Sequence, residues 1–383
     1  MKKYFFTILF FFFFFTSSQG VFAIENPLDK PNNKVGIHIL FPEEIFQAAQ
    51  LVNANGGEWG YVLIPIQSGD KDLIKWQTFM DNAQKLKVIP IIRLATEGDY
   101  FNTKVWRKPN FSDIVDFANF LGSLNWPTKN RYIVVYNEVN RGDEWGGDAN
   151  PAEYAEILSY ATTFFKYISP DFFIISAGLD NAAPSQGSTY MNQYAFLKQM
   201  HENLPDVFKQ IDGIGSHSYP NPGFSQPPTS KSQMSIASFS FEKALIDSLA
   251  NKNLPIFITE TGWSKDAIGD GLAAKYYTQA FTSVWNDASI VAVTPFLLKA
   301  GGGPFTQFSF LGADGSASQV YKNVAALSKT KGQPVLTENI LGSKTIRYYQ
   351  PSNFLQIKSS DKKPLSKKKT SETFLRWLFG LQR

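Results

Sequence analysis

The sequence predicts an α/β chain closed as a (β/α)8 TIM barrel with a short C-terminal extension. Short apolar runs rich in Val and Ile recur eight times. Each is followed by a segment of helical periodicity, and all sixteen segments fit in about 300 residues. The strand-like runs are 35–39, 59–66, 88–94, 132–136, 172–177, 211–216, 255–259 and 290–297; the helical ones are 43–52, 72–87, 112–124, 151–168, 190–204, 239–251, 272–287 and 316–328. The strands are continuously apolar rather than alternating, as parallel strands covered by helices on one side and a filled core on the other must be. Pro151 opens the fourth helix, where a missing N–H costs nothing. An open doubly wound sheet is the competing arrangement, and eight successive units favour the barrel.

With 43% apolar and 18% charged residues, the chain can build a large core and is not a disordered polyelectrolyte. Residues 1–23 read as a signal peptide: Lys2 and Lys3, an apolar stretch too short to span a bilayer, then Val21-Phe22-Ala23 as a small-residue cleavage site. The expected destination is secreted or cell-surface. With no cysteine there is no disulfide and no lipid-modified signal, so stability must come from the core. The organisation expected is a catalytic barrel over 24–330, a β-like extension over 331–357 and a flexible basic tail over 358–383. That tail holds eight basic residues against two acidic ones, which with Lys2 and Lys3 exceed the overall charge of +4, so the body is net acidic. Nucleic acid is therefore not an expected partner. The tail, ending in Phe374, Trp377, Leu378 and Phe379, is read as a solvated linker or as a weak contact to an anionic surface.

Catalytic groups of such barrels sit at the C-terminal ends of strands. Strand four runs into Tyr136-Asn137-Glu138, strand six into His217-Ser218-Tyr219 and strand seven into Glu260-Thr261-Gly262-Trp263; strand three contains Arg93. Two carboxylates that follow apolar strands and converge on one barrel mouth match the needs of glycoside cleavage. One carboxyl protonates the leaving oxygen, and the other attacks the anomeric carbon or activates water. Three histidines, His38, His201 and His217, are too scattered in sequence to predict a metal site, and no cofactor is expected. The glycine-rich stretch at 300–304 lacks the lysine and register of a phosphate loop.

Asn137-Glu138, His217-x-Tyr219 and Glu260-Thr261-Gly262-Trp263, on strands four, six and seven, resemble glycoside hydrolase clan A, which includes cellulases, mannanases, endo-β-glucanases and β-xylosidases. The resemblance spans 35–328 as strand order plus motifs. It implies a retaining hydrolase of O-glycosidic bonds, β in configuration, with Glu138 as acid/base, Glu260 as nucleophile and a carbohydrate as substrate. It further implies that Asn137 binds the sugar 2-hydroxyl and that Tyr219, or else His217, contacts the nucleophile; Arg93 is expected to hold Glu260 ionised. Val139 stands where many members have proline, and Phe296 where most have a tryptophan platform. Phe296 is expected to stack under a sugar ring. Trp145 and Trp263 are expected to wall the substrate, and His38 either binds sugar or is a hydrogen-bonded structural histidine. A retaining pair should place its carboxyl groups about 5–5.5 Å apart. The alternative from another class is a barrel at the cell surface that binds glycan without cutting it; the presence of both glutamates with their polar neighbours favours the enzyme.

Overall fold

A computed structural model describes residues 24–97 and 105–337. The signal-like segment 1–23, most of the expected extension (338–357) and the basic tail 358–383 lie outside the described residues. Eight strands, β1 Gly36–His38, β2 Gly60–Gln67, β3 Val88–Ala95, β4 Arg131–Val134, β5 Phe172–Ile175, β6 Ile214–His217, β7 Ile256–Glu260 and β8 Ile290–Val293, alternate with eight principal helices. These are α1 Ile45–Val52, α2 Leu73–Lys85, α3 Phe111–Ser123, α4 Pro151–Ile168, α5 Gln193–Asn203, α6 Ser238–Ala250, α7 Asp270–Thr282 and α8 Gln319–Ala326.

The helices start where the sequence supplies caps. Asp72 accepts from the amides of Ile74 and Lys75, Asn110 forms a reciprocal capping box with Asp113, and Asn150 precedes Pro151. All strand pairs are parallel, in the orders β1-β2-β3-β4-β5 and β6-β7-β8. The two sheets meet at both seams, through the parallel bridges Ile175↔Gly213 and Val35↔Val293, so the ring closes as a barrel.

Alternation along the strands sorts side chains into two cores. Tyr61, Leu63, Ile89, Ile91, Tyr132, Val134, Phe173 and Phe257 fill the interior, while Val62, Ile64, Ile92, Ile133, Ile174 and Ile258 face the helices. The interior is aromatic. The Tyr132 ring lies 5.0 Å from Phe173 and 5.5 Å from Phe257, which are 5.6 Å from each other. Gly213 makes room for them, since a Cβ there would lie 2.8 Å from the Phe257 ring and 3.0 Å from that of Phe173. At the N-terminal end of the strands, Ile24 and Leu28 pack on this interior cluster, and Asn130 clasps the backbone of Glu25 in both directions, at 2.8 and 3.1 Å. Residues 331–337 run along the same end, bridging at Glu58↔Lys331 and Thr128↔Leu336. That end is closed, and the opposite end is where the predicted residues gather.

Several strand ends differ from expectation. Strand β6 starts at Ile214 rather than 211, because the Asp212 carboxylate caps the amide of Ile174 and pairs with Lys166 at 2.8 Å. Strand β8 stops at Val293, after which Thr294 turns its hydroxyl onto the carbonyls of Ile258 and Thr259.

The interior cluster should carry much of the stability. Phe257→Ala is expected to cost about 3–5 kcal/mol, read as a fall in urea midpoint with unchanged slope. Tyr167→Ala, at a ring 62% exposed, should change stability by about 0.5 kcal/mol at most.

Candidate active site

The site is built from inward-pointing positions at the C-terminal strand ends. On β3 the inward row Ile89, Ile91 continues to Arg93, and on β6 Gly213, Gly215 continue to His217 and then Tyr219. Glu260 is off the inward row that Phe257 sets on β7. It reaches the mouth because the register shifts: Ser216 pairs with Ile258, but His217 pairs with Glu260, leaving Thr259 as an extra residue. On the β4 side two left-handed residues do the equivalent work, Tyr136 at φ 69° and Glu138 at φ 36°. Tyr136 is thereby turned into the outer core against Trp145, while Asn137 and Glu138 face the mouth. Such conformations cost about 1–3 kcal/mol each in residues other than glycine. The Glu138 amide donates to Gly178 O at 3.0 Å and its carbonyl accepts from the Arg141 amide at 2.8 Å, which holds the turn in place.

The structure brings Arg93, Asn137, Glu138, His217, Tyr219, Glu260 and His38 together. A carboxylate oxygen of Glu138, one of Glu260 and a ring nitrogen of His217 all lie within 4.8 Å of one another. Arg93 donates through Nη1 to Glu260 Oε1 and, at 2.7 Å, to Asn137 Oδ1. Tyr219 donates its hydroxyl to Glu260 Oε2 at 3.0 Å. His217 Nδ1 is 2.9 Å from Glu138 Oε1 and 3.8 Å from Glu260 Oε2, so one imidazole bridges the pair. Gly178 makes room for that ring: a Cβ at this position would collide with the imidazole and lie 2.8 Å from Thr259 Oγ1.

Burial alone would raise the Glu260 carboxyl pKa, but neighbouring positive charge outweighs it and holds the group well below the usual carboxylate range. That charge comes from Arg93 and His217. The His217 pKa is lowered by burial, yet Glu260 and the hydrogen bond to Glu138 win and raise it. His38 is different. Burial and Arg93 push its pKa to about 3, so it is neutral at pH 7 although its Nδ1 lies 3.6 Å from Glu260 Oε1. Neither of its ring nitrogens meets a hydrogen-bond partner among the described residues, and the side chain is fully buried.

Glu138, His217 and Glu260 have the spacing of a metal site. Their charge is already balanced otherwise, because Arg93 pairs with Glu260 and Arg141 Nη1 approaches Glu138 Oε2 at 3.3 Å. A divalent ion there would sit beside two guanidinium groups.

Two expectations need correction. Trp145 and Trp263 do not wall the mouth; each is 1% exposed and belongs to the outer core. Trp145 sits edge-on to Tyr136 and Tyr154 because the 3-10 turn Gly142–Glu144 swings it away from the site. Trp263 donates its indole N–H to Gln226 O at 2.8 Å and packs on Tyr277 and Trp285. Phe296 lies at the mouth but is only 9% exposed, with its ring edge-on to His38 at 5.1 Å. The half-buried Phe41, Phe224 and Phe305 pack on the cluster that holds it, Phe305 against its ring at 5.2 Å, and were not predicted.

Sequence reasoning also missed the charged side of the mouth. Arg141 binds Glu138, Asp180 at 3.5 Å and, bidentately, Asp143 at 2.8 and 3.1 Å. Burial and Glu138 raise both Asp180 and Glu144, the latter to about 8. The i,i+3 spacing from Glu138 to Arg141 was the one available signal.

No known protein-family profile matches the sequence, and no curated protein does. The fold is similar to that of a family 39 glycoside hydrolase from the gut symbiont Bacteroides cellulosilyticus WH2, at 14% identity and TM-score 0.54 over 79% of this chain and 64% of that one. It is also similar to a GH39 β-xylosidase from Caulobacter crescentus (14% identity, TM-score 0.55, 80% and 72% of the two chains). A GH5_18 protein from Streptomyces cattleya, in complex with GlcNAc, gives 15% identity and TM-score 0.55 over 77% and 79%. The chain thus spans less than two thirds of the length of the Bacteroides protein. These likenesses show the fold.

Replacing Arg93 by Met should leave Glu260 buried with only the His217 imidazole as a neighbouring cation. The carboxyl should then take up a proton more readily, its titration midpoint rising by about 1–3 pH units, as followed by 13C NMR of labelled glutamate. The depressed pKa of Glu260 contributes stability that is present above the unfolded carboxylate range and lost as pH falls toward the folded value. Acid resistance should therefore drop in the variant. An unmoved Glu260 midpoint would assign its ionisation to His217 instead.

Proposed function

We propose that this chain is a retaining glycoside hydrolase that cleaves β-glycosidic bonds of an oligo- or polysaccharide by double displacement, with Glu138 as acid/base and Glu260 as nucleophile. One observation carries the reading: the two carboxylates approach within 4.8 Å, oxygen to oxygen. That approach suits a retaining pair, whose carboxyl groups stand about 5–5.5 Å apart, better than an inverting pair, whose groups stand about 6.5–9.5 Å apart. The likeness of the fold to glycoside hydrolases supports the same reading.

The two groups are prepared differently. Glu260, ionised beside Arg93 and oriented by Tyr219, offers an oxygen lone pair to the anomeric carbon. As that bond forms, the glycosidic C–O bond breaks, and Glu138 gives its proton to the departing oxygen. In the second step water gives a proton to Glu138 and its oxygen to the anomeric carbon, and Glu260 leaves with its electron pair. His217, bridging both carboxylates, follows the charge as it moves from one to the other. Asn137 has its amide oxygen on Arg93, so its NH2 group is free to donate to a sugar hydroxyl. The substrate class and the extracytoplasmic setting, with the basic tail 358–383 as a solvated linker or a weak contact to an anionic surface, belong to this proposal.

Azide separates the two roles. Glu260→Ala should lose nearly all turnover of aryl β-glycosides, because no covalent intermediate can form. Glu138→Ala should still release the phenol from activated aryl glycosides and then stall. Added azide should yield the β-glycosyl azide from Glu138→Ala and the α-azide from Glu260→Ala, assigned by NMR of the product. Reversed anomers would exchange the two roles, and rescue in neither folded variant would sink the mechanism. A wild-type protein that binds glycan without turning it over would be a glycan-binding barrel instead.

A further inference from the structure

Behind β6, on the side away from the mouth, a second carboxylate is buried. Glu242 on α6 is 2% exposed, the lowest exposure of any acidic side chain among the described residues, and no Lys or Arg pairs with it there. Its partners are hydroxyls. Ser216 Oγ donates to Glu242 Oε1 at 3.0 Å and stands 2.9 Å from Ser218 Oγ. Ser218 Oγ accepts in turn from Ser238 Oγ at 3.0 Å and from the Phe239 amide at 3.2 Å. A buried carboxyl with this little support is expensive, so its place in the structure calls for a reason.

Strand alternation supplies the reason. Ser216 and Ser218 flank His217, facing α6 while His217 and Tyr219 face the mouth. The carbonyls of the same two serines accept from Thr259 Oγ1 at 3.3 Å and from Thr261 Oγ1 at 2.6 Å, and those threonines flank Glu260. The register shift that sets His217 opposite Glu260 is therefore clamped on both sides by serines that Glu242 anchors.

We propose that Glu242 is a positioning residue: through Ser216 and Ser218 it fixes the bulged register that sets His217 and Tyr219 against Glu138 and Glu260. Its charge state matters to them. Burial raises its pKa, and the bond from Ser216 together with the charge of His217 lowers it in part, leaving it at about 7. The titratable groups facing it are His217 across β6 and Tyr194 on the neighbouring α5. When ionised, Glu242 only accepts, so the serine hydroxyls point toward it; when protonated it can donate and reverse that order.

The consequence for catalysis rests on the hydrolase reading, but the positioning does not. With three histidines in the chain, imidazole NMR resolves each one. Beside its own titration, the wild-type His217 should show a second inflection near pH 7 that Glu242→Gln removes, while that variant keeps the His217–Glu138 hydrogen bond. Glu242→Met, which also removes the acceptor, should displace the His217 Nδ1 signal and lower kcat on activated aryl glycosides by about 10–100-fold at little change in KM, with Glu242→Gln recovering most of it. A His217 titration identical to wild type in Glu242→Gln, with only the melting temperature altered, would overturn the proposal. So would the same outcome in Glu242→Met. Displaced His217 signals in a protein whose wild type hydrolyses no glycoside would support positioning and sink the hydrolase reading.

Discussion

A carboxylate 7% exposed can remain charged only beside a compensating cation, and Arg93 provides one for Glu260. Arg93 is itself nearly buried, so neither partner can be removed without stranding the other. Because the same guanidinium also holds Asn137, three strands, β3, β4 and β7, are tied at one point. The pair helps keep Glu260 ionised before any ligand arrives. His38, 3.6 Å from Glu260, stays neutral because burial first, and then the nearby Arg93, penalise its charged form.

Regular strands would not deliver this arrangement. A filled barrel interior admits one residue in two, and Glu260 is on the wrong side of β7 until Thr259 is squeezed out of register. Near β4 the backbone enters the left-handed region at Tyr136 and again at Glu138, and the Tyr136 ring is turned out of the way to pack on Trp145. Both departures sit next to the two carboxylates. Strained turns and bulges concentrate where side chains must be aimed against the period of the element that carries them. The surrounding structure over-determines them: the Gly178 carbonyl holds one, and the paired Ser–Thr clamps on β6 and β7 hold the other.

That division also explains what the sequence discloses. All eight strands are legible, because most are runs of Val, Ile and aromatic residues and the less apolar β1 and β6 fall where the strand–helix alternation requires a strand, and α4 spans the predicted 151–168. Arg93, Asn137, His217 and Tyr219 are legible because they stand at strand ends, where a barrel aims its side chains. Trp145 and Trp263 are misread for a plain reason. Proximity in sequence to a glutamate does not say which way a ring points after a turn, and both turns direct the ring into the outer core. Gly178, Asp180 and Glu242 leave no local trace, since each acquires its role only through a partner on another strand: His217, Arg141 and Ser216 respectively.

The mouth is chemically two-sided, and this bears on what it can hold. On the side of β1, β6 and β8, Phe296 and Phe308 underlie the half-buried Phe41, Phe224 and Phe305. On the side of β4 and β5, Arg141 gathers Glu138, Asp143 and Asp180, with Glu144 close by. A sugar presents the matching pair of surfaces, an apolar C–H face and a rim of hydroxyls, and an aromatic side opposite a hydrogen-bonding side is how proteins grip that geometry. Phe296 alone offers too little area to be the platform, being 9% exposed and edge-on to His38. On the hydrolase reading, the platform would be shared among several smaller rings rather than concentrated in one indole. A shared platform would spread its contact over a wider area and leave the charged wall opposite to orient the sugar.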